Sequence, residues 1–89
     1  MQIESDKDFP ALQQQLAEWR KRFPMFKHDV MQIEKIIDNH IQNHSKCLVE
    51  YRQSHKRSYL EKAQKEIDSI NRILSVVEKM ELMALLHQR

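Results

Sequence analysis

The sequence predicts an all-α fold, and three observations carry that expectation. Glycine is absent from all 89 residues, and the favoured β-hairpin turns need positive φ angles that glycine usually supplies. Only two prolines occur, both near the N-terminus. Gln, Glu, Lys, Leu and Met, all strong helix formers, are abundant in the rest of the chain. The spacing of apolar residues then predicts a short N-terminal helix plus two long helices, packed as an antiparallel hairpin within a three-helix bundle. The alternative is one long helix in an antiparallel coiled-coil dimer.

Residues 1–7 carry no helical stripe and are expected to be flexible, leaving 8–89 as one helical domain. The first helix is expected over about 9–22. Asp8 stands where a side chain can cap exposed amides, and Pro10 suits a first turn that needs no amide partner. Leu12, Leu16 and Trp19 fall four and three apart, with Phe9 and Phe23 extending the same stripe. Phe23 should end the helix, because a residue before proline is pushed out of helical angles. Pro24 then opens the second helix, expected over about 25–52.

From Met25 onward nothing interrupts the helical pattern. A stripe with steps of four and three passes through Ile33, Ile37, Ile41, His44, Leu48, Tyr51, His55 and Tyr59. It continues through Ala63, Ile67, Ile70, Leu74 and Val77. Fours repeat between Tyr51 and Ile67, a stutter that unwinds a heptad coiled coil locally. Read without a break, this is a rod of about 64 residues and roughly 95 Å. Read with a break inside RQSHKRS, residues 52–58, it becomes two helices of similar length, the third over about 58–87. Ser58-Tyr-Leu-Glu61 matches a capping box for the start of that helix. Residues 25–41 and 67–86 are rich in Ile, Val, Leu and Met, whereas 42–66 is sparse. A hairpin brings the two rich ends together and lets the first helix cover them. Residues 76–86 carry apolar side chains on more than one face, which requires more than one neighbour.

Composition limits the function classes. The longest unbroken apolar run, Leu82 to Leu86, is far too short to cross a bilayer, and MQIESDKDF does not read as a secretory signal. One cysteine allows no internal disulfide, which points to a cytoplasmic or nuclear setting. A chain of this size has a marginal core and gains from association.

His40, His44 and Cys47 are spaced four and three apart and so share one side of a helix. They are potential zinc ligands, but no paired cysteines, no His-Glu-x-x-His motif and no recognisable fourth ligand accompany them. Polar places in a helix stripe are the expected role, with no metal and no cofactor. Catalysis is not expected either. A glycine-rich phosphate loop is impossible here, and no glutamate lies three residues before a histidine, so the Glu-x-x-His pattern of di-iron bundles is missing.

Charge is uneven. Residues 42–65 hold six cations against Glu50 and Glu61, whereas the whole chain carries a net charge of +2, so the remainder is net acidic. Arg52, Lys56, Arg57 and Lys62 therefore form a candidate patch for nucleic acid or another acidic surface. Arg20-Lys-Arg22 ends the first helix and complements its dipole. Trp19, Phe23, Met25 and Phe26 gather at the first junction, where packing is the expected role and any exposure would mark a docking groove.

The function expected from these features is that of a non-enzymatic helical protein-interaction module, a scaffold or assembly subunit. It would bind a protein partner or a second copy through coiled-coil pairing, with no membrane insertion and no small-molecule substrate. The expected interface residues are Ile33, Ile37, Ile41, Leu48, Tyr51, Ile67, Ile70, Leu74 and Val77. The alternative is a basic helical tip that binds nucleic acid.

Overall fold

A computed structural model describes residues 1–87; positions 88 and 89 of the expected domain lie outside it. Among the described residues there are three α-helices and no strand: α1, Phe9–Arg22; α2, Lys27–Ser54; and α3, Arg57–His87. Short 3-10 turns at Asp6–Asp8 and Pro24–Phe26 lead into α1 and α2. The particle measures 54 × 18 × 16 Å, too short for a rod of roughly 95 Å. The hairpin form of the fold holds, and the unbroken helix does not.

The first helix starts differently from its expected form. Asp8 makes no side-chain cap to α1; its Oδ2 accepts from the backbone amides of Glu4 at 2.9 Å and Ser5 at 3.4 Å. Ser5 closes the reciprocal capping box around the 3-10 turn that feeds straight into α1. Pro10 occupies the first turn, as its missing amide allows. At the other end Phe23 leaves helical angles before Pro24 (φ −123°, ψ 75°), and its amide donates to the Trp19 carbonyl at 2.9 Å. Pro24 then takes up the 3-10 turn, so α2 begins two residues later than 25.

The hairpin turn lies at His55–Lys56, inside the expected segment. His55 adopts a left-handed conformation (φ 57°, ψ 22°), and its amide donates to the Tyr51 carbonyl at 2.7 Å. Ser54 Oγ donates to the Glu50 carbonyl at 2.9 Å and accepts from the Lys56 amide at 3.3 Å. The expected Ser58–Glu61 box does not start α3, because Arg57 and Ser58 are already helical. Ser54, four residues earlier, supplies the polar contacts of the turn instead.

Residues 1–7, expected to be loose, are anchored. Ile3 is buried in the main core, and Asn71 of α3 holds its backbone from both sides. The Ile3 amide donates to Asn71 Oδ1 at 2.7 Å, and Asn71 Nδ2 donates to the Ile3 carbonyl at 2.8 Å. The segment acts as a strap across α3.

The core lies in the half of the hairpin away from the turn. Phe9, Leu12, Leu16, Trp19 and Phe23 of the α1 stripe pack with Ile37 of α2 and with Ile67, Ile70, Leu74, Val77 and Ala84 of α3. Burying an aliphatic side chain the size of Ile70 stabilises the fold by about 1.5–3 kcal/mol. Phe9 meets His44 edge to face, and Trp19 and Phe23 reach Val30 and Val77, so α1 runs antiparallel to α2. Arg20 pairs with Glu34 at 3.4 Å and Arg22 with Glu81 at 3.7 Å, latching α1 to both long helices. The two long helices continue past α1 toward the turn, where Glu4, Ser5 and Asp6 still share a cavity with Leu48 and Leu60. No helix among the described residues is long and apolar enough to cross a membrane.

Candidate interaction surface

The nine expected interface residues are mostly spent inside the chain. Ile37, Ile67, Ile70, Leu74 and Val77 are buried in the intramolecular core, while Ile33, Ile41, Leu48 and Tyr51 are half-buried along the α2–α3 seam. The stripe is real, but its partner is the other arm of the same hairpin. Residues free to meet another molecule lie elsewhere.

α1 fills only one side of the hairpin, and the opposite side is open. There Ile33, Ile73 and Met80 form a half-buried floor, and Ile36, Val76 and Met83 stand exposed beside it. On α3 these residues fall at 73, 76, 80 and 83, the three-and-four spacing of a coiled-coil seam. A cleft of about 690 Å³ opens at the base of this side, lined by Phe26, Ile33, Met80 and Met83 with Asp29 and Gln32 at its rim. Met83, in this cleft, is 56% exposed; Leu82, Leu85 and Leu86 are also exposed near the end of α3, outside the cleft lining. Met25, 65% exposed at the α1–α2 junction, is the one member of that aromatic-rich cluster left largely in water.

Toward the turn the same side becomes polar. His40 Nδ1 pairs with Glu66 across the seam. Beyond that pair lies a cleft of about 330 Å³ lined by Lys46, Cys47, Glu50, Tyr59, Lys62 and Lys65. The charge of Glu50 chiefly raises the Tyr59 phenol above its usual range. Lys62 Nζ sits 5.3 Å from the Tyr59 ring centre, a cation–π distance. Among the described residues none of Lys46, Arg52, Lys56, Arg57, Lys62 and Lys65 joins an ion pair. Arg52, Lys56, Arg57 and Lys62 are all exposed at the tip.

The histidine–cysteine trio does not converge. His40 turns toward Glu66 and the open side, where Cys47 also lies. His44, only 5% exposed, packs against Phe9 on the α1 side, its ring centre 5.3 Å away. Among the described residues no cluster of three or more His, Cys, Asp or Glu side chains is arranged to hold a metal ion.

Sequence reasoning missed the open side for a definable reason. Ile36 precedes the stripe residue Ile37 by one position, and Val76 precedes Val77 by one. One residue is 100° of helix, so these side chains lie on a second face. The wide apolar arc over 76–86 was the signal that could have revealed it.

No protein-family model, no curated protein and no solved structure matches the chain. Its own surface chemistry alone bears on what it does.

Proposed function

We propose that this chain is a helical protein-interaction module, a scaffold or assembly subunit without catalytic activity, that works by burying the open side of its hairpin against another protein. One observation carries the reading. Val76 and Met83 stand exposed one heptad apart on α3, with Ile36 exposed on α2, beside the half-buried Ile33, Ile73 and Met80. Contiguous apolar surface rimmed by polar groups marks a contact site. Methionine suits such a place because its flexible side chain adapts to the shape opposite it. The cysteine count fits a cytoplasmic or nuclear location for the pairing.

The test is a Val76→Glu/Met83→Glu double variant. Both positions are exposed, so folding should change by no more than roughly 0.5 kcal/mol at each. Affinity purification from the cells that express the protein, together with sedimentation velocity of the pure chain, compares the variant with the wild type. Loss of specific companions, or of self-association, at unchanged helicity is expected. Companions that are the same for both forms would overturn the reading.

A second reading is favoured by the gathering of the exposed Arg52, Lys56, Arg57 and Lys62 around the hairpin turn, away from the net-acidic base. It assigns this tip to nucleic acid phosphates or an acidic protein surface. Salt-sensitive binding of a generic polyanion, lost when the four cations are neutralised, is its expected signature. No binding at low salt removes it.

A further inference from the structure

The open side changes character along its length, and this deepens the proposal above, on which it rests. We infer that the open side receives one amphipathic helix of another protein, with carboxylates in its first two turns and large apolar residues after them. The hairpin already holds one amphipathic helix on its other side, though one without carboxylates in its first two turns: α1 lies along α2 from His44 to Val30 with one apolar stripe turned inward. The open side offers a comparable bed from Asp29 to Cys47 of α2, on the order of 27 Å at 1.5 Å per residue. That is the length of about five helical turns.

The charges identify the occupant. Glu66 is engaged by His40, and Glu50 stands against Tyr59, so the carboxylates of the upper cleft already face groups of this chain. Lys46, Lys62 and Lys65 have no ion-pair partner among the described residues, and they flank the end of the bed nearest the turn. An occupant with carboxylates at that end supplies the missing partners. If those carboxylates lie in its first turns, its own helix dipole favours them too. The helix then runs from tip to base, as α1 does, and its apolar turns reach Ile33, Val76 and Met83.

A second copy of the chain fits poorly. Parallel pairing through the open sides sets the lysine ends against each other. Antiparallel pairing at full overlap lays each apolar floor on the other's lysine end. Shifting the copies to match floor with floor leaves the lysines without carboxylates.

Fluorescence anisotropy with designed 18-residue probes tests the inference on the full chain. One labelled peptide carries three glutamates in its first two turns and leucines at helical spacing thereafter; a second replaces the glutamates by lysines; a third places them in the last turns. The glutamate-first peptide should bind at least about tenfold more tightly than either control, the combined effect of several surface charge pairs of modest strength. Its binding should weaken with salt and with Lys62→Glu/Lys65→Glu, and disappear with Val76→Glu/Met83→Glu. Equal binding of all three peptides, or none of the first at about 1 mM, overturns the inference. Dimerisation of the chain through the same residues also overturns it, in favour of a second copy. These failures are distinct from failure of the broader reading, which falls only if the companions found by purification are indifferent to Val76 and Met83.

Discussion

Asn71 makes the sharpest test of the strap formed by residues 1–7. Its side chain both donates to and accepts from the backbone of Ile3, at 2.8 and 2.7 Å. Asn71→Ala removes both hydrogen bonds, each with a net value of about 1 kcal/mol. It also leaves an amide and a carbonyl that only partly regain water, so the loss should be about 1–3 kcal/mol. Ile3 is 1% exposed, and Ile3→Ala should cost about 2–4 kcal/mol through lost burial and the cavity left behind. A domain of this size has about 5–12 kcal/mol of stability in total, so either single variant should still fold. The informative quantity is their combination. Asn71 and Ile3 hold the same segment, so once one is lost the strap detaches and the second loss matters less. Urea unfolding of the wild type, both singles and the double variant should give a coupling of about 1–2 kcal/mol. A single-variant loss of 2 kcal/mol should lower the melting temperature by about 8–16 °C. An unchanged midpoint in either single, or a double equal to the sum within about 0.5 kcal/mol, would refute the anchored strap.

Individual side chains give three further expected outcomes. Ile70 has no exposed surface, so Ile70→Asp buries a carboxylate in the core at a cost of several kcal/mol and should unfold the chain; retained helicity by circular dichroism would show that this core is wrong. His55 holds a left-handed conformation, which costs a non-glycine residue about 1–2 kcal/mol, so His55→Gly should raise the melting temperature by a few degrees, whereas a lower value would place the turn elsewhere. Removing the charge of Glu50 removes the main cause of the raised Tyr59 pKa; in an alkaline absorbance titration, Glu50→Gln should therefore shift that tyrosine's ionisation to lower pH, and an unmoved curve would separate the two side chains.

The helical stripes were legible in the sequence because period alone marks which side of a helix is apolar. Leu12, Leu16 and Trp19 in α1, and Ile70, Leu74 and Val77 in α3, pack into one core as their spacing implied. The turn was placed correctly by the apolar-poor stretch around it, although its chemistry was misread. Ser54, His55 and Lys56 form a local arrangement whose decisive feature is a positive φ at a histidine, which propensity does not anticipate. Ile3 escaped for the opposite reason: a single isoleucine between Gln2 and Glu4 has no period to reveal it. Its role depends on Asn71, 68 positions away. The expected interface residues lie buried or half-buried within the chain, since a stripe shows that an edge must be covered without showing which molecule covers it. Here the hairpin covers much of its own stripe, and a face about 100° away, with Ile36 and Val76, stays exposed.

The choice between hairpin and paired rods comes down to a few residues at the tip. Both arrangements bury the same stripe, and both can pair His40 with Glu66. The hairpin requires one residue, His55, to leave the helix for a left-handed angle, a penalty of about 1–2 kcal/mol. Two rods avoid that penalty but must lose the translational and rotational freedom of a second molecule, about 4–15 kcal/mol at the standard concentration. Because the seam contacts are common to both, this difference decides between them, and at ordinary concentrations it favours the hairpin. The folded-back chain also lets α1 and the strap close over one side only. The other side stays uncovered, apolar at the base and lysine-lined toward the tip.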